Sequence, residues 1–154
     1  MTNLRPTLGD YSSVVCFKAV ITGVEDTLGP DGAAVVFTRA GRVRGHSLAK
    51  ELGVSNSNPA TEEITKILDG ALGKDGTRLT GVASVTKQGD DYIVDCFDTV
   101  CSAGEVQGSD RRCTFTLGAV QGAIEEITGQ TFMAEQTESV LRGGQYDRFV
   151  FSPL

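Results

Sequence analysis

Residues 113–129 read CTFTLGAVQGAIEEITG. Leu117, Val120, Ile124 and Ile127 recur at steps of three, four and three, the apolar stripe of an amphipathic helix. Gly118 and Gly122 stand in its interior, and each costs roughly 1 kcal/mol relative to alanine. Two arrangements repay that cost. Either another backbone packs into the groove that the missing side chains leave, or the groove opens room for a flat or elongated apolar ligand. The residues alone leave both open.

Working outward, the segment AGRVRGHSLAKELG at 40–53 reads as a second glycine-bearing helix, with Gly41 and Gly45 four apart. Before it, Val14, Phe17, Ile21, Val24 and Leu28 mark a first helix that stops at LGPDG, where Gly29 takes a left-handed cap and Pro30 forbids continuation. The run AAVVFT at 33–38 is short and rich in β-formers, so a strand is expected there. Asn58 as cap and Pro59 at the first helical position open a third helix through Ile64, Ile67, Leu68, Ala71 and Leu72. It ends in LGKDG, and the repeat of LGxDG is read as two similar helix-to-strand turns. Residues 78–87 and 92–100, joined by QGDD, form a β-hairpin, and 131–141 with 146–151 form a final strand pair around RGG. The order α, β, α, α, β, β, α, β, β predicts an α+β fold: an antiparallel sheet of four to five strands packed with about four helices. One domain is expected over 1–154, with 1–10 as a flexible N-terminal arm.

A formal charge of -6 and a pI near 4.7 argue against nucleic acid and against an electrostatic grip on anionic lipid. No apolar run is long enough for a membrane span, and the polar start MTNLRPTLGDYSS lacks a signal-peptide core, so a cytoplasmic protein is expected. Cys16, Cys96, Cys101 and Cys113 are too few and scattered for a disulfide framework, and free, mostly buried thiols are expected. A zinc site would draw on Cys96, Cys101, Cys113 and His46, but a CxxxxC spacing is not the usual paired one, and no metal is expected. His46 reads as a surface or cap residue with polar neighbours, unsuited to haem. The pairs Glu62–Glu63, Asp90–Asp91 and Glu125–Glu126 read as solvated, and Glu135, in a β-prone run, needs a cationic partner if it points inward. Glycine loops that cradle phosphate are absent, and no proton-relay cluster appears, so a catalytic role is not expected.

From Cys113 onward the sequence resembles the C-terminal half of the 4-vinyl reductase, or hydrocarbon-binding, domain family. The matching features fall on Cys113, Gly118, Gly122, Thr128, Gly129, Glu135, Gly143, Gly144 and Phe149. Upstream, AVVFTRAGRVRGHSLAKELG is similar to that family's strand, Ala-Gly and helix segment. The resemblance implies a small domain related to vesicle-trafficking subunits and bacterial sensors, which often dimerises and encloses an apolar cavity. Its ligand would be a hydrocarbon or tetrapyrrole-like ring. The cavity wall would draw on Cys113, Phe115, Leu117, Phe132 and Glu135, and on the glycine helices at Gly41, Gly45, Gly118 and Gly122. Where the family commonly carries two further cysteines, this chain has Ser139 and Asp147, so a metal role resting on the full cysteine set lacks its ligands. Three roles follow: a non-catalytic carrier or sensor, a homodimeric or partner-binding assembly protein (for photosynthetic complexes, say), and an accessory of chlorophyll-type 4-vinyl reduction.

Overall fold

The structure, a computed structural model, describes residues 5–154. The first four residues of the expected arm lie outside the described residues, and 6–10 form a turn closed by a Gly9 N–H to Arg5 carbonyl bond of 3.0 Å. The elements in order are α1 (Val14–Glu51), α2 (Thr61–Leu72), β1 (Gly81–Gln88), β2 (Asp91–Phe97), α3 (Thr114–Thr128), β3 (Phe132–Glu138) and β4 (Asp147–Pro153). Single 3-10 turns stand at Val100–Ser102 and Val140–Arg142. The four strands form one antiparallel sheet in the order β1-β2-β4-β3, which fulfils the α+β expectation.

The apolar face of the sheet comes from alternation. Tyr92, Val94 and Cys96 of β2 stand opposite Phe151, Phe149 and Asp147 of β4. These side chains and Phe132 join Ile64, Leu68 and Leu72 of α2 and Val120, Ile124 and Ile127 of α3 in one core. The other face of the sheet carries the Asp95–Arg148 ion pair, two hydrogen bonds of 2.7 and 3.0 Å.

α1 corrects the predicted strand at 33–38, which is helix. Gly29 does take a left-handed φ of 76°, and Pro30 does follow, but Pro30 then starts a new helix instead of a turn into a strand. The buried residues Ala33, Phe37, Gly41 and Gly45 repeat every fourth position, a helical period that the local run of valines masked. The first LGxDG is therefore a helix-to-helix corner. The two halves double back on each other: Phe17 and Gly41 both meet Phe115, although a straight helix would separate them by roughly 36 Å. Ile21 accordingly packs in a second small core with Ala33, Phe37 and Val100.

The glycines explain the layering. A Cβ on Gly118 or Gly122 would collide with the carbonyl oxygen of Thr38 or Arg42, and one on Gly41 or Gly45 with that of Phe115 or Ala119. The backbones of α1 and α3 thus interlock, and α3 is the middle layer, between α1 and the sheet. That position is why α3 is buried nearly all round from Gly118 to Glu125.

Smaller departures have local causes. The second helix-capping position is Ala60, not Asn58, whose φ of 43° and N–H to Ile127 carbonyl bond commit it to a turn. β1 begins at Gly81, because Arg78 has a φ of 59°. β3 ends at Glu138, and Val140–Arg142 is a 3-10 turn. Among the described residues no helix is long and apolar enough to cross a membrane.

Candidate functional site

The corner at Gly29 lays the first half of α1 over the second, and beside that hairpin the fold leaves a cavity of about 680 Å³. Its floor is apolar, formed by Leu48, Leu72, Val100 and Ala119, all buried. Phe17 and Phe115 meet edge to face on one wall, with ring centroids 5.2 Å apart. Volume and lining match those of small-molecule sites, where apolar walls supply affinity and a few polar groups fix orientation.

The polar groups stand at the rim. The segment 10–13 crosses it just before α1 starts, where the Ser13 hydroxyl accepts the Val15 N–H at 3.1 Å. Tyr11 ties this segment down: its hydroxyl donates to the Gly76 carbonyl at 2.8 Å, and the Arg78 guanidinium lies 5.5 Å from its ring centroid. Arg78 also donates from Nε to the Lys74 carbonyl at 3.0 Å, and its φ of 59° is a rare backbone conformation for a side-chain-bearing residue. Arg44, paired with Glu51 at 3.0 Å, is the second cation on the rim.

Of the wall residues named from sequence, the structure brings Phe115 and Gly45 to this cavity. Gly41, Gly118 and Gly122 face the opposing helix backbone instead. Leu117 packs against the main core, and Phe132 lies within it, edge-on to Tyr92 with centroids 5.7 Å apart. Glu135 is exposed on the edge strand β3, so it needs no buried partner. The residues missed are Tyr11, Phe17, Val20, Leu48, Leu79 and Val100. Phe17 and Leu48 were visible as helix-stripe positions, but only the hairpin turns them toward one space.

The cysteines also need correction. Cys101 and Cys113 are joined in a disulfide, with Cα atoms 5.3 Å apart, while Cys16 and Cys96 are free. Burial pushes the Cys96 thiol up to about 12. Among the described residues, the atoms able to ligate a metal that do cluster belong to Cys101, Cys113 and Asp147, not Cys96. With the two sulfurs bonded to each other neither offers a thiolate, and the Asp147 oxygens are already engaged. They accept from Thr99 Oγ1 at 2.6 Å, Ser102 Oγ at 3.3 Å and the Val140 N–H at 3.0 Å. That donor set does not fit zinc.

Glu125 and Glu126 are not a solvated pair. Glu125 is 3% exposed. It accepts from Arg42 Nε at 2.8 Å, Arg42 Nη2 at 3.0 Å and the Phe132 N–H at 3.1 Å. His46 bridges the two carboxylates, Nε2 to Glu125 at 2.9 Å and Nδ1 to Glu126 at 3.0 Å. The cluster clamps the glycine seam from outside, and Ser55 and His46 hold the Glu126 carboxyl below its ordinary value.

No family model matches the chain, and no curated protein matches its sequence. Solved structures do match. The phenol-responsive sensory domain of the transcription activator PoxR, determined with phenol, is 18% identical with a TM-score of 0.69, over 92% of this chain and 75% of that one. Trafficking protein particle complex subunit 3 from Naegleria fowleri, covalently bound to palmitic acid, is 12% identical with a TM-score of 0.55, over 92% of this chain and 95% of that one. The chain therefore has the sensory-domain and trafficking-subunit type of fold.

Proposed function

We propose that this chain is a non-catalytic binding domain that holds an apolar small molecule with a polar end in the cavity beside the α1 hairpin. The observation that carries the reading is the cavity itself, about 680 Å³ with an apolar floor and a rim of Tyr11, Arg44 and Arg78. Phenol in one structural neighbour and palmitic acid in the other support a small-molecule role. A hydrocarbon body suits the floor, and Arg78 suits a hydroxyl or acid head. A tetrapyrrole-like ring is the bulkier candidate. Native mass spectrometry of the purified chain, with organic extraction and absorbance, tests both: an added mass lost on extraction is expected, with visible absorbance only for a tetrapyrrole. A chain that copurifies with nothing and takes up neither alkanols, fatty acids nor phenols would refute the reading.

A second role, self-association, is favoured by one observation. Val35, Val36 and Val43 are exposed on α1, at 70%, 46% and 61%. Val36 and Val43, two turns apart, share the side of α1 turned away from the seam with α3, and a second copy would cover them. Sedimentation of the wild type against Val36→Glu/Val43→Glu checks this, with a dimer expected only for the former.

A further inference from the structure

We infer that the Cys101–Cys113 bond is a redox-controlled clasp on the cavity, one that retains ligand when oxidised and releases it when reduced. This rests on the binding reading above and concerns the regulation of that site.

The bond lies behind the cavity and joins two segments that each lend it a lining residue. Cys101 belongs to the turn Val100–Ser102, and Cys113 is the residue before α3, where its side chain makes no capping hydrogen bond. Val100, beside Cys101, is in the cavity floor, and Phe115, two residues past Cys113, is in its aromatic wall. The turn is also tied to α1, since Lys18 Nζ donates to the carbonyls of Cys101 and Ala103, both at 2.8 Å. A shift of the turn relative to α3 therefore reaches the Phe17–Phe115 contact and the packing of Val100 on Ile21 and Phe37. Other ties survive reduction. Thr99 and Ser102 still hold the turn to Asp147 of β4, and Gln136 Oε1 still accepts the Cys113 N–H at 2.9 Å. Opening the bond loosens a wall without dissolving the sheet.

The chemistry is thiol–disulfide exchange with a dithiol reductant. One reductant thiolate attacks a sulfur of the pair and expels the other as thiolate, giving a mixed disulfide. The second reductant thiol then displaces the protein sulfur, leaving two protein thiols and an oxidised dithiol, with two electrons and two protons transferred. Both cysteines are 3% exposed, and the Asp147 carboxylate lies within 4.8 Å of their sulfurs. An attacking thiolate therefore needs the turn to open first, and it meets a like charge. Ligand packed on Val100 and Phe115 suppresses that opening. By linkage, whatever reduction subtracts from ligand affinity, ligand adds to the resistance of the bond.

The test uses the full chain oxidised, reduced with dithiothreitol, and as Cys101→Ser/Cys113→Ser, with anilinonaphthalene sulfonate as the binding probe and hydrogen exchange on the ligand-free protein. The reduced and double-serine forms are expected to bind the probe about fivefold or more weakly. Exchange protection should fall at 99–103 and 114–118 while the strands keep theirs. Probe should slow reduction of the wild type. Equal affinity and equal protection in all three forms overturn the clasp and leave binding intact. Loss of protection throughout the sheet also overturns it, since the bond would then be a staple of the whole fold. If the oxidised chain takes no probe while 99–103 and 114–118 still loosen on reduction, the binding reading falls and the mechanical coupling stands.

Discussion

At Gly122 the added methyl of an alanine would run into the Arg42 carbonyl, a backbone atom that no rotamer change can move. Helix propensity alone says the opposite, because alanine is the better helix former. Packing decides. Gly122→Ala should cost about 3 kcal/mol, the upper end for overpacking, and lower the melting temperature by roughly 6–12 °C in a chain of this size. Gly23 is the control. It lies in the first half of α1 with nothing within 4 Å of where a Cβ would sit, so Gly23→Ala should gain up to about 1 kcal/mol. Thermal unfolding of the two variants side by side checks both signs. If Gly122→Ala were neutral, the interlocked seam would not be what the glycines are for. The same seam accounts for Glu125, which sits one turn beyond Gly122 and meets Arg42 and His46 from the facing helix.

At the scale of elements, the periodic helices and the two hairpin strands were legible because their burial follows from local order. The stripe Leu117, Val120, Ile124 and Ile127 needed no partner to be read. Gly29–Pro30 was legible as a stop, but not as a corner, since the same dipeptide ends a helix whether a strand or a second helix follows. In residues 33–38 the β-branched Val35 and Val36 favour a strand locally, while the four-residue spacing of Ala33, Phe37, Gly41 and Gly45, which extends beyond that window, makes the segment helix. The disulfide was illegible in another way: a separation of 12 residues has no signature, and only the fold brings the turn at Val100–Ser102 under the start of α3. The loop it closes carries an acid-sensitive clamp. Lys18, at 2.9 Å, together with Arg111 and Ser109, holds the Glu105 carboxyl down to about 2 from its ordinary 4.5. A depressed carboxyl contributes stability that is full above the unfolded value and is lost as pH falls toward the folded one. Denaturant midpoints of the wild type should therefore drop between about pH 4.5 and 2 more steeply than those of Glu105→Gln, which starts lower and has no such proton to gain. Parallel curves for the two proteins would mean that the clamp does not contribute.

For the molecule as a whole, the cavity is a product of segments that no window of sequence joins: 10–13 with the α1 hairpin, the end of α2 with its following turn, the turn at Val100, and the start of α3. Leaving such a space open costs contacts that a filled core would make, and a molecule that occupies it returns them. Ligand binding should therefore appear as stability. A ligand at 100 times its dissociation constant adds about 2.7 kcal/mol, a rise of roughly 5–10 °C in melting temperature for a protein of this length. Val20 gives the means to separate site binding from surface adsorption. It lines the cavity but is 55% exposed, so Val20→Trp can fill the opening with little demand on the packed interior. In the absence of ligand that variant should melt close to the wild type. With a saturating fatty acid or phenol the wild type should shift by several degrees and Val20→Trp by almost nothing. A shift of equal size in both would put the ligand elsewhere and leave the space beside the α1 hairpin without a role. A wild-type shift that Val20→Trp removes, and that grows with the logarithm of ligand concentration as mass action requires, would tie uptake to that space.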